Sequence, residues 1–344
     1  MKLHTLITTA ALITTALAAP PEIKPHDGKP ADMAKPVQVF ILLGQSNMVG
    51  LGKVGGPDGS LEFAVKEKKK YPYLVDDAGA WVERKDVRYA RVMSGRGSSG
   101  MQRLNNEWMT VKTCKTIGPE FGIAPLVGDA IEAPVLILKS CIGNRSLGWD
   151  LLPPGSERFE AEGKVFAGYK DSPDSWAKGT EPAPIGWYAG KQYDDDVANA
   201  KKVLSELDKY YPGAKGYEVA GFFFWQGEKD GGNAAHASRY EQNLVRLIKQ
   251  VRKDFEAPNA KFVLATLGEA TKGSGGNGGK ILDAQLAVDG ATGKYPEFKG
   301  NVATVYANPL SKGGSGNSHY NGNAETYMGV GEAMGWAMVE LLKK

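Results

Sequence analysis

Histidine and cysteine are scarce in this 344-residue chain, which has four of the first and two of the second. So few leave no CxxC pair and argue against a Cys/His metal site. The two cysteines, Cys114 and Cys141, permit either one disulfide or two free thiols. An excess of one charge is also missing, with 42 Lys and Arg against 39 Asp and Glu. That balance says little about partners, and the one basic run, "KEKKKYPY" from Lys66, reads as a solvated loop or helix face, so no nucleic-acid partner is expected. Past the N terminus no apolar run is long enough to span a bilayer, so no membrane insertion is expected.

What is present begins with "MKLHTLITTAALITTALA": a basic start, a short apolar stretch and a small-residue ending, the layout of a secretory signal peptide over 1–18. Cleavage is expected after Ala18, and no Cys follows to take a lipid, so the mature chain should be secreted or periplasmic. Residues 19–36 are Pro-rich and polar, a flexible leader. The rest, 37–344, has the length of one large domain.

Five short apolar runs read as strands: 37–43, 133–140, 218–225, 261–267 and 301–307. Four are almost continuously apolar, as strands covered on both faces must be. Amphipathic stretches at 118–133, 194–211, 236–255 and 323–344 read as helices. In the third, Tyr240, Leu244, Leu247, Ile248 and Val251 fall on one side. Strand alternating with helix predicts an α/β fold, a parallel sheet between two helix layers. Two long insertions, 51–117 and 147–193, interrupt the pattern. Loops of such length are functional or carry small elements of their own.

Open parallel sheets bind ligands beyond the carboxyl ends of their strands, and polar motifs gather there. The first strand delivers "GQSN", with Ser46 as helix N-cap or as nucleophile. The second delivers "CIGNRSLGW", the third "WQGEKD", and the last is followed by "SHYNGNAETY". A serine nucleophile needs a base. His4 and His26 lie in the leader segments and His236 opens a helix, where a surface or capping role is expected, which leaves His319. In "WQGEKD" the Gln226 amide suits an oxyanion and the Glu228 carboxylate suits a histidine's far N–H, with Asp230 as reserve acid. "GSGGNGGKI" (273–281) resembles a phosphate loop, but Ser274 and Ile281 stand where Gly and a Mg²⁺-binding hydroxyl belong, so it reads as a loop beside the site.

With "GQSNM", "GNRSL", "WQGE" and "SHYNGNAETY" in that order from about Val37 to the C terminus, the chain resembles the SGNH-hydrolase superfamily. More narrowly it is similar to its sialate O-acetylesterase-like group, which includes carbohydrate esterase family six. The resemblance implies a three-layer α/β/α sandwich, flavodoxin-like, with about five parallel strands. It implies cofactor-free ester hydrolysis through an acyl-serine, with Ser46 as nucleophile, His319 as base and Glu228 as acid. The oxyanion hole it implies is Ser46 N–H, the Gly143 or Asn144 backbone and the Gln226 amide. Gln45, Asn47, Arg145 and Asp230 are candidate substrate contacts. The superfamily usually carries Asp three residues before the histidine, and here Gly316 stands in that place.

The expectation is a secreted esterase that removes O-acetyl groups from a glycan such as sialic acid or a plant or algal polysaccharide. The alternatives are a lipase, thioesterase or arylesterase on the same fold, or a carbohydrate-binding relative with lapsed catalysis. The sequence leaves the oligomeric state open.

Overall fold

A computed structural model describes residues 23, 25, 28–94 and 100–344. The expected signal peptide lies outside the described residues, as do parts of the leader.

Strand β1 (Val37–Gly44) is buried almost end to end and runs directly into a one-turn helix, α1 (Ser46–Val49). A long antiparallel hairpin follows, β2 (Glu83–Ser94) and β3 (Met101–Thr110). Next come α2 (Glu120–Ala130), β4 (Val135–Ser140) and α3 (Lys191–Ser205). The C-terminal half contributes β5 (Tyr217–Trp225), α4 (Glu228–Gly231), α5 (Ala234–Asp254), β6 (Lys261–Ala265), α6 (Gly276–Ala287), β7 (Val302–Val305) and α7 (Ala324–Leu342).

The main sheet has seven strands in the order β7-β6-β5-β1-β4-β2-β3, with every neighbouring pair parallel except β2–β3. Alternation along β1 feeds two separate cores. Phe40 and Leu42 meet Phe121 of α2 and Met334 of α7 on one face. Val39, Ile41 and Leu43 meet Val197 of α3, Leu244 of α5 and Leu282 of α6 on the other. This is the three-layer α/β/α arrangement. The predicted apolar side of α5 is the one that packs: Tyr240, Leu244, Leu247, Ile248 and Val251 are all at most 1% exposed, and each contributes about 1.5–3 kcal/mol by leaving water.

Two strands beyond the expected five come from the first insertion. In β2 the buried Val87, Tyr89, Ala90 and Val92 alternate with charged residues, so the run does not read as a covered strand. Two of those charges are satisfied in place: Arg84 bonds Asp86 and Asp129, and Arg88 bonds the Tyr210 carbonyl and Asn106. The second insertion carries a small antiparallel sheet of Phe159–Ala161, Lys164–Phe166 and Ser175–Ala177. It has its own miniature core around Leu152, Ala167 and Ala189.

Candidate active site

The turn from β1 into α1 is held by contacts that exclude side chains. Gly44 has φ +147°, and a Cβ there would lie 2.3 Å from the Trp225 carbonyl oxygen; Gly50, with φ +94°, would meet Gly118 at 2.3 Å. Only glycine fits both ends of this turn. Beneath it the buried Lys139 of β4 donates to the Val49 carbonyl at 3.0 Å and to Glu120 at 2.5 Å. Ser46 is thereby presented at the carboxyl edge of the sheet, while its neighbours Gln45 and Asn47 turn inward.

Those inward side chains hold Glu228. The Asn47 amide donates to Glu228 Oε1 at 2.6 Å and the Gln45 amide donates to Oε2. Asn47 also donates to the Gly316 carbonyl at 3.2 Å and accepts from the Tyr327 hydroxyl at 3.1 Å. Burial, and after it the nearby Glu269 carboxylate, push the Glu228 carboxyl up to about 7, against the amide bonds that favour its anion.

His319 follows β7 on a turn in which three successive residues, His319, Tyr320 and Asn321, have positive φ. Such a run persists only where its surroundings hold it. Here the buried Tyr320 ring stacks on Trp225 of β5 at 5.9 Å and meets Tyr327 of α7 edge-on. The His319 N–H donates to the Gly316 carbonyl at 2.9 Å.

Ser46, Glu228 and His319 line one cavity of about 910 Å³, together with Gly143 and Asn144 from the loop after β4. A Cβ on Gly143 would stand 3.4 Å from that of Ser46, so the two backbones are adjacent. The N–H groups of Ser46, Gly143 and Asn144 make no hydrogen bond with another described residue. Nor do the Ser46 hydroxyl and the His319 ring bond each other, and such bonds commonly tighten only when substrate is bound.

Four expected contacts are placed otherwise. The Gln226 amide was expected in the oxyanion hole, but the residue is fully buried. Its amide nitrogen donates to the Arg145 carbonyl at 2.9 Å and to Asp230 at 2.6 Å, so both hydrogens are committed. Asp230, the reserve acid and candidate substrate contact, accepts the Leu147 and Gly148 N–H groups at 2.8 Å each. Gln226 and Asp230 together brace the Gly143–Gly148 loop from below. Arg145 lies over Trp187, 4.8 Å from its ring centre, and bonds Gln192. Asn47, as described, faces the interior.

Sequence reasoning missed part of the cavity's lining. His236 is 5% exposed rather than on the surface, and its Nε2 lies 2.9 Å from Asp174 Oδ1. Both residues line the cavity beside Trp149, Lys229 and Asn233. Burial lowers the His236 pKa, but the hydrogen bond and charge of Asp174, with Asp230 and Asp150 behind it, raise it further. Asp174 comes from the second insertion, 62 residues before His236, and only the folded chain shows the pairing. Among the described residues no group of three or more His, Cys, Asp or Glu side chains is placed to hold a metal ion.

Residues 171–340 match the family model described as carbohydrate esterase, sialic acid-specific acetylesterase; the match takes in Glu228 and His319 but begins after Ser46. No curated protein matches the chain. Among solved structures, a protein from Arabidopsis thaliana is 17% identical with a TM-score of 0.49, the match covering 88% of this chain and 98% of that one. A carbohydrate acetylesterase from Xanthomonas citri is 13% identical with a TM-score of 0.49, over 85% of this chain and 54% of that one. NanS is 16% identical with a TM-score of 0.39, over 79% and 78%. Two of the four motifs, "WQGE" and "SHYNGNAETY", lie within the family match: over that part the chain is similar to the sialic acid-specific acetylesterases among the carbohydrate esterases.

Proposed function

We propose that the chain is a serine esterase that removes acetyl groups from carbohydrate. The observation that carries this reading is the meeting, in one cavity, of Ser46, Glu228 and His319 from three distant segments. In the reaction, Ser46 Oγ attacks the acetyl carbonyl carbon as the His319 ring takes its proton. The oxyanion forms against the N–H groups of Ser46, Gly143 and Asn144. The intermediate collapses by breaking the bond to the sugar oxygen, to which His319 returns the proton. A water molecule, deprotonated by His319, then attacks the acyl-serine and frees acetate. Glu228, as the anion, stabilises the imidazolium.

The alcohol side of the cavity supports a sugar. An acetyl group fills little of its volume, which falls in the range of about 300–1,000 Å³ usual for small-molecule sites. Its lining includes the polar Asn144, Asp174, Lys229, Asn233 and Asn317 and the apolar Val49, Leu51 and Trp149. Such a lining offers hydrogen bonds to sugar hydroxyls beside an apolar face on which a sugar ring can rest. The N-terminal segment supports action outside the cytosol.

Ser46→Ala should lower acetate release from p-nitrophenyl acetate and from acetylated sialic acid or xylan on the order of 10⁴-fold, with the fold unchanged by circular dichroism. Undiminished release would remove Ser46 as nucleophile. A preference for long-chain over acetyl esters would move the protein to the lipases.

A further inference from the structure

We propose that Glu269, on the turn after β6, is a positioning residue for this reaction: it fixes the loop that carries His319 and opposes the charge of Glu228 across the space left by Gly316. The proposal rests on the esterase reading.

Three contacts define the arrangement. The Gly316 N–H donates to Glu269 Oε2 at 3.0 Å. The Gly316 carbonyl accepts from Asn47, which also holds Glu228, and from the His319 N–H. One glycine residue therefore ties the orienting acid, the histidine turn and Glu269 together. A Cβ on Gly316 would lie 2.6 Å from Glu228 Oε1 and 2.6 Å from Glu269 Oε2. The two carboxylates thus face each other within the ~4–6 Å over which like charges disfavour ionisation.

The two acids are not equivalent. Glu269 is exposed and lines no part of the cavity, whereas Glu228 is buried within it, so the cost of two charges falls on Glu228. The other groups around Glu228 are the Gln45 and Asn47 amides from the β1–α1 turn and the hydroxyls of Tyr240, Tyr320 and Tyr327. Lys229, His236, His319, Asp150 and Asp174 share its cavity. After burial, Glu269 is the largest contribution raising the Glu228 pKa. A basic carboxylate accepts an imidazolium proton bond more strongly, and the cost is lost activity once it protonates.

Glu269→Gln keeps an acceptor for the Gly316 N–H and removes the charge; Glu269→Ala removes both. The profile of kcat/KM against pH reports the free enzyme's ionisations. For Glu269→Gln its acid limb should move down by about 0.5–1 pH unit, with KM for acetyl ester unchanged. Glu269→Ala should show the same shift and, in addition, a severalfold lower plateau kcat, because the His319 turn loses its tether. An acid limb in Glu269→Gln that superimposes on wild type, in a protein whose Ser46→Ala variant is inactive, overturns the role of Glu269 and leaves the esterase reading standing. Full activity in Ser46→Ala overturns both.

Discussion

The His236 ring is pressed against the Gly148 backbone, where a Cβ would come within 2.5 Å of it, and bonds Asp174 on its other edge. Its pKa is raised above the ordinary histidine value. The stability it contributes is therefore fully present below its unfolded pKa of about 6.5 and is lost as pH rises through the higher folded value. The Tm difference between wild type and His236→Gln should accordingly be larger at about pH 5.5 than at about pH 8.5. Equal differences at both would mean that His236 is not held as a cation. Because the pair lines the cavity and makes no hydrogen bond to Ser46, Glu228 or His319, on the proposed esterase reading the same variant should raise KM several-fold more than it lowers kcat. Residues of this kind are the least legible in a sequence. "GGNAAH" announces a helix start, and Asn233 does cap it, accepting from the Ala235 and His236 N–H groups. Nothing in that stretch points to an aspartate in another loop. Gln226 misled in the same way: a polar residue after a strand looks poised for substrate, but here it braces a neighbouring turn.

At the scale of the element, the segment between β7 and α7 explains the departure from the superfamily pattern. The superfamily's usual Asp would stand at 316, where Glu228 and Glu269 already fill the space that its Cβ needs. Gly316 is buried and its backbone is held from both sides by Asn47 and Glu269, so the turn has little room to yield. Restoring the pattern with Gly316→Asp should therefore harm the protein. Overpacking alone costs about 1–3 kcal/mol, and a third carboxylate adds repulsion. The Tm should fall, and kcat/KM should fall at least tenfold as the His319 turn shifts. A Gly316→Asp variant with wild-type Tm and activity would show that an acid fits there and that Glu228 does not occupy its place. The motif order foretold that this segment returns to the site. The three left-handed residues and the Tyr320 anchor that aim His319 were hidden, because they depend on Trp225 and Tyr327 from other elements.

Across the whole molecule, periodicity made the parallel core legible because β1, β4, β5 and β6 are covered on both faces and carry almost unbroken apolar runs. The β2–β3 hairpin escaped because its buried positions are interleaved with charged residues. The cysteines, open in the sequence, are both free in the fold. Burial pushes the Cys141 thiol up to about 12 and the Cys114 thiol up to about 11, and the reactive species is the thiolate. Without a disulfide between them, the fold rests on its two main apolar layers and its non-covalent polar contacts. Produced with its N terminus in a secreting host, the protein should appear outside the cells beginning at Ala19. Its Tm should be the same with and without dithiothreitol, and iodoacetamide at neutral pH should leave acetate release intact. A Tm that drops on reduction would mean that Cys114 and Cys141 pair after export. Loss of activity on alkylation would place a reactive thiol near the cleft, against the burial of Cys141 and the half-burial of Cys114.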